Sequence, residues 1–256
     1  MKRLLKEIAN KATVIDKDRR LSYAVEEMEK NNIARLPVTE DGDLVGIITE
    51  RDILEKIGSY RSQNFRTSSF HVSSCMTSEP FYLGESEKIV AALMAFKENK
   101  FSGIPVLGNE IGIITKTDIM KNYEFNGYVS DNMSTNFQIV GPEDRVIHAR
   151  RLLLDNNLHA LPVWDGELIG IVTIQDIVFG LNEFREKTPG RYMENRLRDF
   201  IVEGIMTSKP IYASLEDKLE DVKKKMIKGN FSSMPVLNFE ENIVGLISKD
   251  EIVNCL

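Results

Sequence analysis

Cysteine is nearly absent: Cys75 and Cys255 are the only two in 256 residues, and they lie far apart with no ligand-like spacing. Neither a disulfide framework nor a zinc site is indicated. Long apolar runs are missing as well. None approaches the ~20 residues that cross a bilayer, and the opening MKRLLKEIANKA has no signal-peptide core. The expectation is a cytoplasmic protein with no membrane partner. Basic residues are outnumbered, 33 Lys and Arg against 39 Asp and Glu, for a net charge of −6. A general nucleic-acid binder draws its affinity from phosphate neutralisation, so this balance argues against that partner. Catalytic signatures are lacking too. There is no GxxxxGK followed by Ser or Thr, no GxGxxG after a strand, no HExxH and no GxSxG. The acids are spread along the chain and not gathered as an acid/base pair, so no enzyme is expected.

What the chain does contain is repetition. LPVTEDGDLVGIITERD (Leu36–Asp52) returns as IPVLGNEIGIITKTD (Ile104–Asp118), LPVWDGELIGIVTIQD (Leu161–Asp176) and MPVLNFEENIVGLISKDE (Met234–Glu251). Each copy opens on an apolar residue, Pro and Val, and passes a polar turn. It then runs through an apolar segment around a Gly and stops at Thr or Ser with an acid three residues on. A fourfold internal repeat is the organising fact. The register extends backwards. Sixteen residues before Pro37, Pro105, Pro162 and Pro235 stand Leu21, Ile89, Val146 and Leu219; thirteen before stand Ala24, Ala92, Ala149 and Val222; nine before stand Met28, Phe96, Leu153 and Met226. Spacings of three and four on one apolar face predict a helix. These helices end at Asn31-Asn32, Asn99, Asn156-Asn157 and Gly229-Asn230, residue types that tolerate a left-handed C-cap. Each unit is predicted to run helix, strand, turn, strand, helix, an α/β (α+β) fold.

The predicted units occupy residues 1–56, 72–122, 129–180 and 201–256. Met1–Ala12 reads as a short helix leading into a strand, Thr13–Asp16, and the hairpin turns fall at Asp41-Gly42, Gly108-Asn109 and Asp165-Gly166. Lys56–Cys75 is an irregular connector, Lys121–Asn132 a short one. A third connector has helical halves, Phe179–Lys187 and Tyr192–Glu203, broken by Pro189-Gly190. Long, short, long gaps suggest pairing unit 1 with 2 and unit 3 with 4, as modules 1–125 and 126–256. A unit of about 45 residues buries too little surface to stand alone, so each pair is expected to share a core of ordinary domain size.

The recurring chemistry sits at the last helix of each unit. Thr49 with Asp52, Thr115 with Asp118, and Thr173 with Asp176 place a hydroxyl and a carboxylate one turn apart, as do Ser248 and Glu251. A short carboxylate there can accept two hydrogen bonds from a ribose diol, while the hydroxyl and free N–H groups favour phosphate. The same pattern is a helix capping box, so a purely structural role stands beside the ribose role. Asp leans to ribose because Glu is the better reciprocal cap, and by that logic Ser248 and Glu251 lean to a pure cap.

The pattern of apolar-Pro-Val, turn, and apolar-Gly-apolar-apolar-Thr/Ser-x-x-Asp, preceded by Met-Thr-x-x-Pro in units 2 and 4, resembles the CBS domain. Four copies without a catalytic domain are similar to the gamma subunit of AMP-activated protein kinase and its stand-alone prokaryotic relatives. The resemblance implies four β-α-β-β-α repeats arranged as two tandem (Bateman) modules in a disc, with adenine nucleotides between units. It implies that basic residues just before the Pro reach phosphates, which here are Arg35 and His159, with Ser102 and Ser232 as further candidates. It also implies a polar contact at the opening of each unit, matched by Thr77, Ser134 and Thr207, where unit 1 has Ala9-Asn10 instead.

Other clusters have plainer readings. His148–Arg151 and Lys223–Lys225 are expected to be solvated faces, and Trp164 a core or interface residue with a base pocket as its alternative. The functional expectation is a non-catalytic ligand sensor that binds AMP, ADP or ATP and reports to an unidentified protein partner. S-adenosylmethionine is the competing ligand, and Arg35 and His159 favour phosphate over it. A scaffold with empty clefts is the competing class. The expected assembly is a monomeric disc or a weak homodimer.

Overall fold

The computed structural model describes residues 3–58, 65–99 and 101–256. Unit 1 comprises β1 (Asn10–Lys11), β2 (Ile15–Asp16), α1 (Leu21–Asn31), β3 (Arg35–Glu40), β4 (Asp43–Thr49) and α2 (Glu50–Ile57). Unit 2 comprises β5 (Thr77–Ser78), β6 (Leu83–Gly84), α3 (Ile89–Glu98), β7 (Gly103–Leu107), β8 (Ile111–Thr115) and α4 (Lys116–Asn122). A short helix α5 (Val129–Asn132) opens unit 3, followed by α6 (Val146–Asp155), β9 (Ala160–Trp164), β10 (Leu168–Thr173) and α7 (Ile174–Lys187). Helix α8 (Gly190–Leu197) leads to unit 4: β11 (Thr207–Ser208), β12 (Ala213–Ser214), α9 (Leu219–Gly229), β13 (Ser233–Leu237), β14 (Ile243–Ser248) and α10 (Lys249–Asn254).

Local chemistry explains the boundaries. Asn32, Asn157 and Asn230 adopt φ of 51°, 51° and 53°, turning the chain out of α1, α6 and α9. Asn99 stays extended at φ −127°. There the side-chain amide donates to the Ala95 carbonyl at 3.2 Å, closing the helix end without a left-handed residue. Asp41 and Gly42, at φ 53° and 94°, make the tight turn between β3 and β4.

Several expectations are corrected. The predicted helix over Met1–Ala12 is, in its described part, a 3-10 turn at Leu5–Glu7 followed by β1; Met1 and Lys2 lie outside the described residues. Pairing with β8 outweighs the local helical pattern, with Asn10 opposite Ile113 and Lys11 opposite Gly112. The strand expected over Thr13–Asp16 is reduced to Ile15–Asp16. Residues 65–75 of the first connector form 3-10 turns at Thr67–Ser69 and Val72–Ser74, and 59–64 lie outside the described residues. Phe179–Lys187 continues α7, Pro189 stands at the N-cap of α8, and that helix stops at Leu197, short of Glu203.

The opening strand of each unit leaves it to join the sheet of another. β1 of unit 1 adds to β8 of unit 2, and β5 of unit 2 adds to β4 of unit 1. β11 of unit 4 adds to β10 of unit 3, while Ser134 of unit 3 bridges to Leu246 on β14 of unit 4. The repeated Gly permits this exchange. A Cβ at Gly46, Gly170 or Gly245 would stand 2.7, 2.5 or 2.8 Å from the sulfur of Met76, Met206 or Met133, each on the incoming segment.

Side-chain packing runs the other way. One apolar core joins unit 1 to unit 3, from Leu21, Met28 and Ile53 to Val146, Ile177 and Leu181. The second joins unit 2 to unit 4, from Ile89, Ile104 and Ile119 to Leu219, Met234 and Ile252. The expected core shared within pairs 1/2 and 3/4 is therefore corrected. The backbone links 1 with 2 and 3 with 4, but the helices lay their apolar stripes on the other neighbour, α2 of unit 1 on α7 of unit 3 and α4 of unit 2 on α10 of unit 4.

Two charged clusters also differ from the solvated faces expected of them. Arg150 crosses from α6 to the end of α2, donating to the carbonyls of Leu54 at 3.0 Å and Glu55 at 3.1 Å. Lys223 is 8% exposed and binds the Tyr123 carbonyl at 3.1 Å and Glu220 at 2.7 Å. Arg151 and Lys224 do face solvent.

Candidate functional site

Strand exchange builds four junctions of one design, the candidate ligand clefts, each between the N-terminus of a last helix and the opening segment of the exchange partner. Thr77 lies opposite Ile47, Thr207 opposite Ile171, Ser134 opposite Leu246 and Asn10 opposite Ile113, always two residues before the capping Thr or Ser. The clefts thus gather Thr49, Asp52 and Thr77; Thr115, Asp118 and Asn10; Thr173, Asp176 and Thr207; and Ser248, Glu251 and Ser134. The residue three before each Pro borders its cleft. Ala34, His159 and Ser232 accept the first helical N–H with their carbonyls, at 3.0, 3.3 and 3.0 Å. Ser102 holds the same place before β7, and neither it nor Ser232 makes a side-chain hydrogen bond among the described residues.

All four carboxylates act as caps. Asp52 Oδ2 accepts the Thr49 amide at 2.8 Å and the Thr49 hydroxyl at 2.7 Å. Asp176 repeats this with Thr173 at 2.7 Å for both contacts. Asp118 Oδ2 takes Thr115 at 2.9 and 2.7 Å, and Glu251 Oε2 takes the Ser248 amide at 2.9 Å and its hydroxyl. Capping does not exhaust them. A carboxylate has about four acceptor sites, and among the described residues Oδ1 of Asp52 and of Asp176 receives no side-chain or backbone donor. Burial pushes both of these carboxyls upward, partly offset by the capping bonds.

The second feature is a polar cluster where the four units meet. Asp250 of unit 4 binds Lys116 of unit 2 and lies 3.3 Å from Nε2 of His159 in unit 3. Glu50 of unit 1 accepts from Gln175 of unit 3 at 2.9 Å, and Arg51 donates to the Leu158 carbonyl at 2.8 Å. Burial raises Asp250, but the His159 hydrogen bond and the Lys116 charge outweigh it and hold the carboxyl below the usual range. Glu50 is pushed up to about 7 by burial, against the Gln175 bond and the Arg35 charge.

Arg35 reaches out of unit 1 across Gly103 of unit 2, where an added Cβ would stand 2.5 Å from its Cδ. Its guanidinium is pulled down by burial and faces Glu50, Asp118 and Asp250, and its Nε is buried with no hydrogen-bond partner among the described residues. Lys249 lies near it, pulled down to about 8 by burial and by the Arg35 charge. His159 and Arg35, singled out by the sequence pattern, thus meet at one centre. Lys116, Lys249, Asp250, Glu50 and Gln175 were missed, because they are the first two residues of their helices and read locally as surface.

A further signal was present in the sequence. Seven residues before Leu21, Ile89, Val146 and Leu219 stand Val14, Tyr82, Ile139 and Tyr212, which are 45, 54, 48 and 48% exposed. An exposed apolar residue thus recurs at the same register position in every repeat. Trp164 ends β9, half-buried beside the pairing with Leu168. Among the described residues, no group of His, Cys, Asp and Glu could hold a metal, and no helix is long and apolar enough to cross a membrane.

Comparison with known proteins places the chain. It is 25% identical over 249 residues to the uncharacterized protein MJ1225 of Methanocaldococcus jannaschii, covering 88% of each chain. It is 25% identical over 181 residues to MJ1426 of the same organism, covering 70% of this chain and 86% of that one. The crystal structure of MJ1225, described as a candidate archaeal homologue of γ-AMPK, superposes with a TM-score of 0.86 at 23% identity, over 98% of this chain and 99% of that one. An uncharacterized conserved protein from Pyrococcus horikoshii follows at 0.62 and 22%, over 98% of each chain. The family model for the CBS domain matches residues 5–59, 72–124, 129–183 and 202–256, and the chain belongs to the CBS domain family.

Proposed function

We propose that this protein is a non-catalytic sensor of adenine nucleotides. The ribose diol binds the free carboxylate oxygen of Asp52 or Asp176, with Thr49 and Thr77, or Thr173 and Thr207, around it. The base lies on the exposed apolar residues of the opening segments, and the phosphates turn to the centre, toward Arg35, Lys249 and His159. The observation that carries the reading is the pairing of Arg35 and Lys249. Two half-buried cations near one another repel, and Arg35 Nε has no acceptor among the described residues. A phosphate offsets both costs. Because the central groups come from all four units, occupancy biases how the units sit against one another, which a partner protein can read.

The adenosyl reading, in which S-adenosylmethionine is the ligand, is favoured by the ribose carboxylates alone and gives Arg35 and His159 no anion with the charge of a phosphate. The scaffold reading is favoured by the capping bonds that every carboxylate makes.

Isothermal titration with AMP, ATP and S-adenosylmethionine separates the three. AMP or ATP is expected to bind, with at least tenfold weaker binding to the corresponding cleft in Asp52→Asn and Asp176→Asn. Arg35→Met is expected to weaken the phosphorylated ligands and spare S-adenosylmethionine. Unchanged affinity in all three variants, with only a lowered melting temperature, would establish capping as the whole role of the acids.

A further inference from the structure

Of the four junctions, one has the second oxygen of its carboxylate already engaged from within. The exchanged strands present Thr77, Thr207 and Ser134 to three clefts, but β1 presents Asn10 to the fourth. The Asn10 side-chain amide donates to Asp118 Oδ1 at 2.9 Å, while Thr115 engages Oδ2. Both oxygens of Asp118 are therefore bonded, and Asp118 is 5% exposed where Asp52 and Asp176 are half-buried. The longer reach of asparagine over threonine or serine is what brings an N–H donor to the oxygen that a ribose hydroxyl would otherwise use. The strand also seats differently. No methionine covers Gly112, whose nearest neighbours are the Asn10 carbonyl and the Ala9 methyl.

The rest of this cleft remains equipped for an anion. Arg35 is half-buried, its Nε is buried with no partner among the described residues, it has Asp118 among the charges it faces, and Lys249 stands by the same carboxylate. A phosphate-side group is thus present where the sugar-side group is engaged.

We propose that Asn10 is an internal plug: its amide holds the sugar position at Asp118, so the unit 2 cleft excludes ribose-diol ligands, and Asn10 determines how many nucleotides the chain carries. The inference rests on the nucleotide reading above and specifies the selectivity of one of its sites.

The test is the AMP stoichiometry of the full chain, counted by equilibrium dialysis and native mass spectrometry. Wild type is compared with Asn10→Thr, Asn10→Ser, Asp118→Asn and the Asn10→Thr/Asp118→Asn double variant. Both Asn10 variants are expected to carry one AMP more than wild type. Asp118→Asn alone is expected to carry the wild-type number, and the double variant to lose the gained site. Loss of a nucleotide from Asp118→Asn, or wild-type stoichiometry in folded Asn10→Thr and Asn10→Ser, would overturn the plug. Should wild type bind no AMP, the nucleotide reading fails while the plug is judged by the Asn10 variants alone: one AMP bound upholds it, none refutes it.

Discussion

At the scale of single residues, Glu50 carries the clearest measurable consequence. Its carboxyl is 6% exposed and pushed up to about 7, against an ordinary value of 4.5. A carboxyl that holds its proton more tightly in the native state adds stability below about 4.5, and that stability is lost as pH rises through about 7. Glu50→Gln keeps the bond to Gln175 and cannot ionise. It is expected to match wild type near pH 4.5 and to exceed it by about 2–3 kcal/mol at pH 8, read from denaturant unfolding at both values. Equal pH profiles would show that Glu50 titrates normally. The sequence revealed Thr/Ser-x-x-acid and the basic residues before the prolines, because those recur or stand out locally. It did not reveal Glu50, Lys249 or Asp250, whose burial exists only once four helix starts converge.

At the scale of elements, helix faces and turns were legible because their periods of three and four and their Asn and Gly residues act over a few positions. The exchanged strands were not. A two-residue strand such as Thr77–Ser78 has no period to read, and its partner lies in another unit. The trace it does leave is the pair of recurring residues, a Met before the opening hydroxyl and a Gly in the receiving strand. Gly170→Ala would press a Cβ against the Met206 sulfur at 2.5 Å. It is expected to cost about 1–3 kcal/mol, and Met206→Ala in the same chain is expected to recover part of the lost melting temperature. Additive losses in the double variant would mean that the two side chains do not compete for space.

At the scale of the whole molecule, connector lengths reflected which units exchange strands but not which share a core, since apolar stripes do not name their partner. The two cores, one across units 1 and 3 and one across units 2 and 4, predict the pattern of protection in hydrogen exchange. Amides of α1, α2, α6 and α7 are expected to open together, and those of α3, α4, α9 and α10 as a second group. Grouping of units 1 with 2 and 3 with 4 would show instead that the sheets govern local opening.

Strand exchange in one direction and side-chain cores in the other leave the molecule laid like bricks with staggered joints. Any cut between units crosses either a sheet or a core, so there is no seam along which the four can slide apart independently. A push delivered at one corner is therefore felt at the opposite corner by two routes, each passing through a different neighbour.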